Sequence, residues 1–210
     1  ELIRILLALA KNPKNTLVII SGRDRNTLDR WLSRIPCALV AEHGAWLKKS
    51  PSQGWEKQSE SSLQWKEEVR PLLKAYEIRV PGSFMEEKEY GLAWHYRKAN
   101  PELGAIRSSE LFESLNDFLA NTDLQVIHGN KVVEIRIGGI NKGEASKEFL
   151  AQKDWDFILA LGDDWTDEDI FKILSPTAYS VKVGYRPTQA RFYLESPRTC
   201  RNLLREISKY

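Results

Sequence analysis

Runs of consecutive apolar residues recur in this chain at Leu17–Ile20, Ala38–Ala41 and Phe157–Leu161, each too short for a helix and bordered by stretches of helical periodicity. A run with no polar face fits a strand buried on both sides. A mostly parallel sheet covered by helices on both faces buries several such strands at once. Leu2, Ile3, Leu6, Leu7 and Ala10 share one face of a helix over 1–11, and Leu28, Trp31, Leu32 and Ile35 do so over 24–35. Ala45–Leu47 reads as a hairpin strand. After the polar stretch Lys48–Lys57, with Pro51 and Gly54, the pattern changes. A helix near 60–77, an extended pair through 78–97, a long helix at 102–120 and strands near 124–128 and 131–137 follow. The first alternation then resumes, with helix 142–152, strand 156–161, helix 167–174, strand 178–183 and a terminal helix within 197–209. The expectation is an α/β chain whose parallel-sheet core spans 1–59 and 138–210, with an α/β cap over 60–137 inserted in it. Parallel sheets of this kind bind ligands at the carboxyl ends of their strands, so functional residues are sought there.

Charge is nearly balanced, with 31 Lys and Arg against 29 Asp and Glu, so nothing in it advertises a nucleic acid or an anionic membrane as partner. Cys37 and Cys200 lack disulfide-framework or metal-ligand spacing, which favours a reducing compartment, with the cytoplasm as default. No apolar stretch reaches spanning length, and the first residues resemble an amphipathic helix rather than a signal peptide.

Three polar clusters follow predicted strands. Ser21-Gly22-Arg23 offers a hydroxyl, a flexible backbone and N–H groups to an anion, or forms an ordinary turn ahead of a helix capped by Asp24. Asn141 and Glu144 have capping-pair spacing. Lys142 is not explained that way: a cation in a first helical turn opposes the helix dipole by about 0.3–1 kcal/mol and points to an anion nearby, or to a solvated lysine. In "LGDDWTDEDIF", residues 161–171, Thr166 reads as a helix cap with Asp167, Glu168 and Asp169 as favourable first-turn acids. Asp163 and Asp164 remain. Two carboxylates about 4 Å apart repel by roughly 4 kcal/mol at an effective dielectric near ~20. A hard divalent cation such as Mg²⁺ neutralises them and suits a site that also holds a phosphate. Asp167 fits either a third ligand or a hydrogen-bond acceptor behind the ligands. Together, Ser21, Lys142 and the acidic pair point to phosphoryl chemistry with a metal.

Five segments, "VIISGRDRNTLDRWL", "VAEHGAWLK", "SFMEEKEYGLAWHYRKANPELG", "VVEIRIGGINKGEA" and "LGDDWTDEDIF", resemble in order the motifs of trehalose-6-phosphate phosphatases, across almost the entire chain. That family belongs to the haloacid-dehalogenase-like superfamily, and the cap segment is most similar to phosphatase domains fused to trehalose-6-phosphate synthases. The resemblance implies a Rossmann-like core with an inserted α/β cap that closes over bound sugar phosphate. It also implies trehalose 6-phosphate as substrate and Mg²⁺ as cofactor. Ser21 matches the residue that binds the transferred phosphate, and Lys142 the lysine that steadies it. Asp163 matches the direct metal ligand, with Asp164 and Asp167 supporting. Glu86 and Lys88 fall where the family's cap meets sugar hydroxyls, and Glu42 resembles a further sugar-facing acid. Arg23, His95, Arg97 and Glu134 complete the candidate substrate contacts.

Alternation puts His95 and Arg97 on one strand face, toward substrate or solvent. Glu134 and Arg136 share a face with the spacing of a simple surface pair. His43 and His128 read as hydrogen-bonded structural residues, and the seven tryptophans as packing. The family's Asp-x-Asp-Gly-Thr motif, which supplies nucleophile and proton donor, does not occur in this sequence. The reading is therefore a phosphatase that needs that motif from an upstream segment, or a catalytically silent sugar-phosphate-binding domain linked to a synthase.

Overall fold

The computed structural model describes residues 1–58 and 62–210. In chain order the elements are α1 (Leu2–Lys11), β1 (Val18–Ile20), α2 (Arg25–Leu32), β2 (Ala38–Ala41), β3 (Trp46–Lys48) and β4 (Glu56–Lys57). Then come α3 (Trp65–Arg79), β5 (Phe84–Glu87), β6 (Gly91–His95), α4 (Pro101–Leu119), β7 (Leu124–Gly129) and β8 (Val132–Ile137). The last are α5 (Lys142–Leu150), β9 (Leu159–Gly162), α6 (Glu168–Ile173), β10 (Tyr179–Val183), β11 (Phe192–Leu194) and α7 (Pro197–Ile207). Two single turns of 3₁₀ helix, Glu42–Gly44 and Trp165–Asp167, complete the set.

The chain divides into two compact units, Glu1–Gln58 with Ile140–Tyr210, and Ser59–Gly139. The junction expected at 59 and 60, like the start of the helix expected near 60, lies outside the described residues. No helix among the described residues is long and apolar enough to cross a membrane.

The first unit holds two sheets. One has the order β1-β2-β3-β4, with β1 and β2 parallel and the other pairs antiparallel. The other, β11-β10-β9, is wholly parallel. One mostly parallel sheet was the expectation. The described strands instead leave β1 and β9 each at a sheet edge with one neighbour. These apolar edges are only partly buried, in contrast to the fully buried β2. Helix α5 packs Phe149 and Ala145 onto Val18, Ile20, Val40 and Leu47 of the first sheet.

The second unit is an antiparallel sheet, β5-β6-β8-β7, with α3 and α4 on one face. Trp94, Leu92, Val133 and Ile135 of the sheet meet Val69, Leu73, Leu111 and Leu115 of the helices, all fully buried. Pro101 at the start of α4 has no N–H to waste there, and Asn100 accepts from the N–H groups of Glu102 and Leu103.

Candidate active site

Ser21 follows β1 directly, and its hydroxyl accepts from the Arg23 N–H at 3.1 Å, closing the turn into α2. Asp24 caps that helix, accepting from the Thr27 N–H at 2.9 Å. The neighbouring 3₁₀ turn carries three residues of positive φ in succession, Glu42 at 47°, His43 at 60° and Gly44 at 126°. Side-chain-bearing residues adopt that region at a cost of about 1–3 kcal/mol each, so the surroundings must hold them there. They do: the His43 N–H donates to the Ser21 carbonyl and the Glu42 N–H to the Arg23 carbonyl, each at 3.0 Å. The His43 ring lies so close over Gly22 that an added Cβ would meet its Nε2 at 2.3 Å. The same turn packs against α5, and so joins the Ser21 loop to the start of the helix that carries Lys142.

Lys142 is buried, and its ammonium donates to Asp167 Oδ1 at 2.7 Å. The anion predicted from a lysine in a first helical turn is therefore present in the chain itself. Asn141 caps α5 through the Glu144 N–H at 2.9 Å, whereas the Glu144 side chain turns to Lys147. The second oxygen of Asp167 accepts the Asp164 N–H at 2.8 Å. One oxygen of Asp167 thus meets a lysine and the other a main-chain amide, which ties the start of α5 to the acidic loop.

The helix cap expected at Thr166 is corrected. Asp164 caps the 3₁₀ turn, accepting from the Trp165 N–H at 2.8 Å, while Thr166 is buried with no hydrogen-bond partner for its hydroxyl among the described residues. A two-step start, a 3₁₀ turn followed by α6, moves the cap upstream. Asp163 and Asp164 stay exposed beyond the end of β9. The first-turn acids also diverge: Glu168 is only 3% exposed and takes the Lys182 ammonium at 3.0 Å. Neither Glu168 nor Lys182 stood out as functional in the sequence. A lysine between Val181 and Val183 of β10 was the available signal.

In the second unit, four candidate residues meet on β5, β6, β8 and the turn after β5. Lys88 pairs with Glu134 at 2.7 Å, both largely buried, and His95 Nε2 lies 2.6 Å from Glu86 Oε2. The register explains this, since Glu86 and Glu134 both pair with Ala93, from opposite sides of β6. The His95 hydrogen bond and the Lys88 charge hold the Glu86 carboxyl below its ordinary range despite partial burial. Glu134 and Arg136 are not a surface pair: both are buried. Arg97 instead donates to the Asn130 carbonyl at 2.8 Å. His128 is hydrogen-bonded to Tyr96 and Ser108, each at 3.2 Å. Of the tryptophans, Trp31 and Trp165 are exposed and Trp94 is fully buried. Cys37 is buried, which pushes its thiol up to about 11 and makes it a poor nucleophile.

The model of the trehalose-phosphatase family matches residues 1–198. The chain belongs to that family. It is 40% identical over 207 residues to the bifunctional trehalose-6-phosphate synthase/phosphatase of Thermoproteus tenax, a match covering 99% of this chain and 28% of that protein. It is 40% identical over 197 residues to the trehalose-phosphatase of Zygosaccharomyces rouxii, covering 83% of this chain and 22% of that one. Among solved structures, the C-terminal domain of the C. albicans trehalose-6-phosphate phosphatase superposes with a TM-score of 0.92 at 34% identity, over 98% of this chain and 83% of that one. This trehalose-phosphatase-family chain thus has the haloacid-dehalogenase-like α/β fold. It spans about a quarter of the length of the curated relatives it matches.

Proposed function

We propose that the chain is the phosphatase portion of a protein that hydrolyses trehalose 6-phosphate to trehalose and phosphate in trehalose biosynthesis, with Mg²⁺ as cofactor. The observation that carries this reading is the linkage of the Ser21 turn, Lys142 and the Asp163–Asp164 loop within one unit. It runs through the 42–44 turn and the buried 2.7 Å Lys142–Asp167 pair. The names of the relatives supply the substrate class.

The residues fit a magnesium ion. Among the described residues no cluster of three potential ligands exists, but Mg²⁺ keeps several waters and binds through one or two carboxylates together with substrate phosphate. Asp163 and Asp164 supply such oxygens at an exposed position. Bound there, the ion would offset charge on the phosphoryl oxygens. Lys142 and the Ser21 hydroxyl would donate to those oxygens, and the Lys142–Asp167 pair keeps the ammonium ordered without a flexible search. Arg23 adds a cation beside Ser21. Glu42, Glu86, Lys88, His95 and Glu134 carry charged donors and acceptors of the kind that hydrogen-bond sugar hydroxyls.

The nucleophile and proton donor are assigned to an Asp-x-Asp motif on a segment upstream of Glu1. Two apolar edge strands, β1 and β9, with one neighbour each are what a further strand between them would complete. A trehalose-6-phosphate synthase domain in the same polypeptide fits the Thermoproteus relative's name. The two free cysteines suit a cytoplasmic setting. The test is phosphate release from trehalose 6-phosphate, with and without Mg²⁺, by this chain and by a form extended upstream. Mg²⁺-dependent turnover only in the extended form is the expected result. Saturable binding without turnover in either form would overturn the assignment in favour of a regulatory binding domain.

A further inference from the structure

Asp164 sits between two buried lysine–carboxylate pairs. On its amide side, its N–H donates to Asp167, whose other oxygen takes the Lys142 ammonium. On its carbonyl side, the Lys182 ammonium donates to the Asp164 oxygen at 2.9 Å and to Glu168 Oε1 at 3.0 Å. Lys182 lies on β10 directly abreast of Gly162, the residue before the acidic pair. Glu168 is in turn saturated: the Thr188 hydroxyl lies 2.8 and 3.0 Å from its two oxygens, and the Gln189 N–H donates at 2.7 Å. Lys182 and Glu168 are 2% and 3% exposed.

Exchanging a buried ion pair for apolar side chains of similar volume is often neutral or stabilising, so burial alone gives this pair no advantage in folding over an apolar one. Lys182 lies in the buried middle of β10 beside Val181, where a methionine would match the volume of its stem. What the ammonium does that a methionine cannot is hold a carbonyl. We infer that Lys182 is a positioning residue for the acidic loop: it fixes the Asp164 peptide from the side opposite Lys142, and through Glu168 fastens that peptide to the 188–189 segment. This rests on the proposed role of Asp163 and Asp164 in holding Mg²⁺, and it assigns to residues outside the carboxylates the setting of their main-chain geometry.

The experiment compares the full-length protein with Lys182→Met, in which Glu168 keeps its Thr188 and Gln189 donors. Two quantities are read: amide hydrogen exchange of the 162–167 segment, and the Mg²⁺ concentration for half-maximal phosphate release from trehalose 6-phosphate. Groups that orient metal ligands typically alter metal affinity by about 10–100-fold, and a rise of that size is expected, with faster exchange confined to 162–167. Exchange that rises evenly over all of β9, β10 and α6, with an unchanged Mg²⁺ requirement, would reduce the pair to a structural element. Should the Lys182→Met chain not fold, Thr188→Val removes the outer support alone. It is expected to shift both readouts in the same direction by less, and unchanged exchange at 162–167 overturns the inference. If the parent protein shows no turnover, the proposed function fails, while the exchange measurement still decides the role of Lys182.

Discussion

Gly162 has no side chain because Asp167 occupies the place where one would stand: an added Cβ would lie 2.4 Å from Asp167 Cβ and 2.5 Å from its Cγ. Gly162→Ala must therefore push Asp167 off Lys142 and off the Asp164 amide. Overpacking of this kind costs about 1–3 kcal/mol, and lowered urea midpoints are expected with it. Phosphate release by the upstream-extended form should fall further than stability does, by about a hundred-fold, since small misplacements at a reacting centre cost that much. Activity loss no greater than the loss of folded protein would detach Asp167 from the chemistry. At this scale the need of Lys142 for an anion was legible, because a cation that opposes a helix dipole demands a partner. The partner of Lys142 was not. A carboxylate in a first helical turn satisfies a local rule whether or not it also reaches a lysine 25 positions away.

The elements behave as their patterns require where each buries a single face. Strands β5, β6 and β8 bring Glu86, His95, Lys88 and Glu134 together by register, which alternation alone could not supply, since it ranks residues by face without saying which strands are neighbours. Because the His95 hydrogen bond and nearby Lys88 lower the Glu86 carboxyl in the folded state, its ionised form contributes stability above the ordinary glutamate pKa. That contribution is lost as pH falls through the lowered value. Glu86→Gln removes it, so the stability gap between parent and variant should be open at pH 7 and shrink on acidification below about 4.3. A gap independent of pH in urea unfolding would mean that the pair contributes nothing to folding. β4 escaped the sequence reading because its two residues are charged and exposed, leaving neither an apolar run nor a period to register.

The molecule comprises two units, one of which carries two sheets with apolar edges at β1 and β9. If an upstream strand completes those sheets, a chain extended by it gains main-chain pairing and apolar burial together, so its melting temperature should exceed that of the present chain. An equal or lower value by calorimetry would argue against a completing strand. The alternation of buried runs and helices, the change of pattern between the two halves of the core and the placement of charge just after strands all follow from the amino-acid order, because each depends on neighbours within a few residues. The α/β class and three of the polar clusters were therefore determined by sequence alone. Tertiary structure decided that Asp167 and Glu168 are taken by lysines, that Lys182 reaches the Asp164 carbonyl from a different strand, and that Glu134 is buried against Lys88. Those are contacts between residues far apart in the chain, and only the packing of whole elements brings such charges within hydrogen-bonding distance.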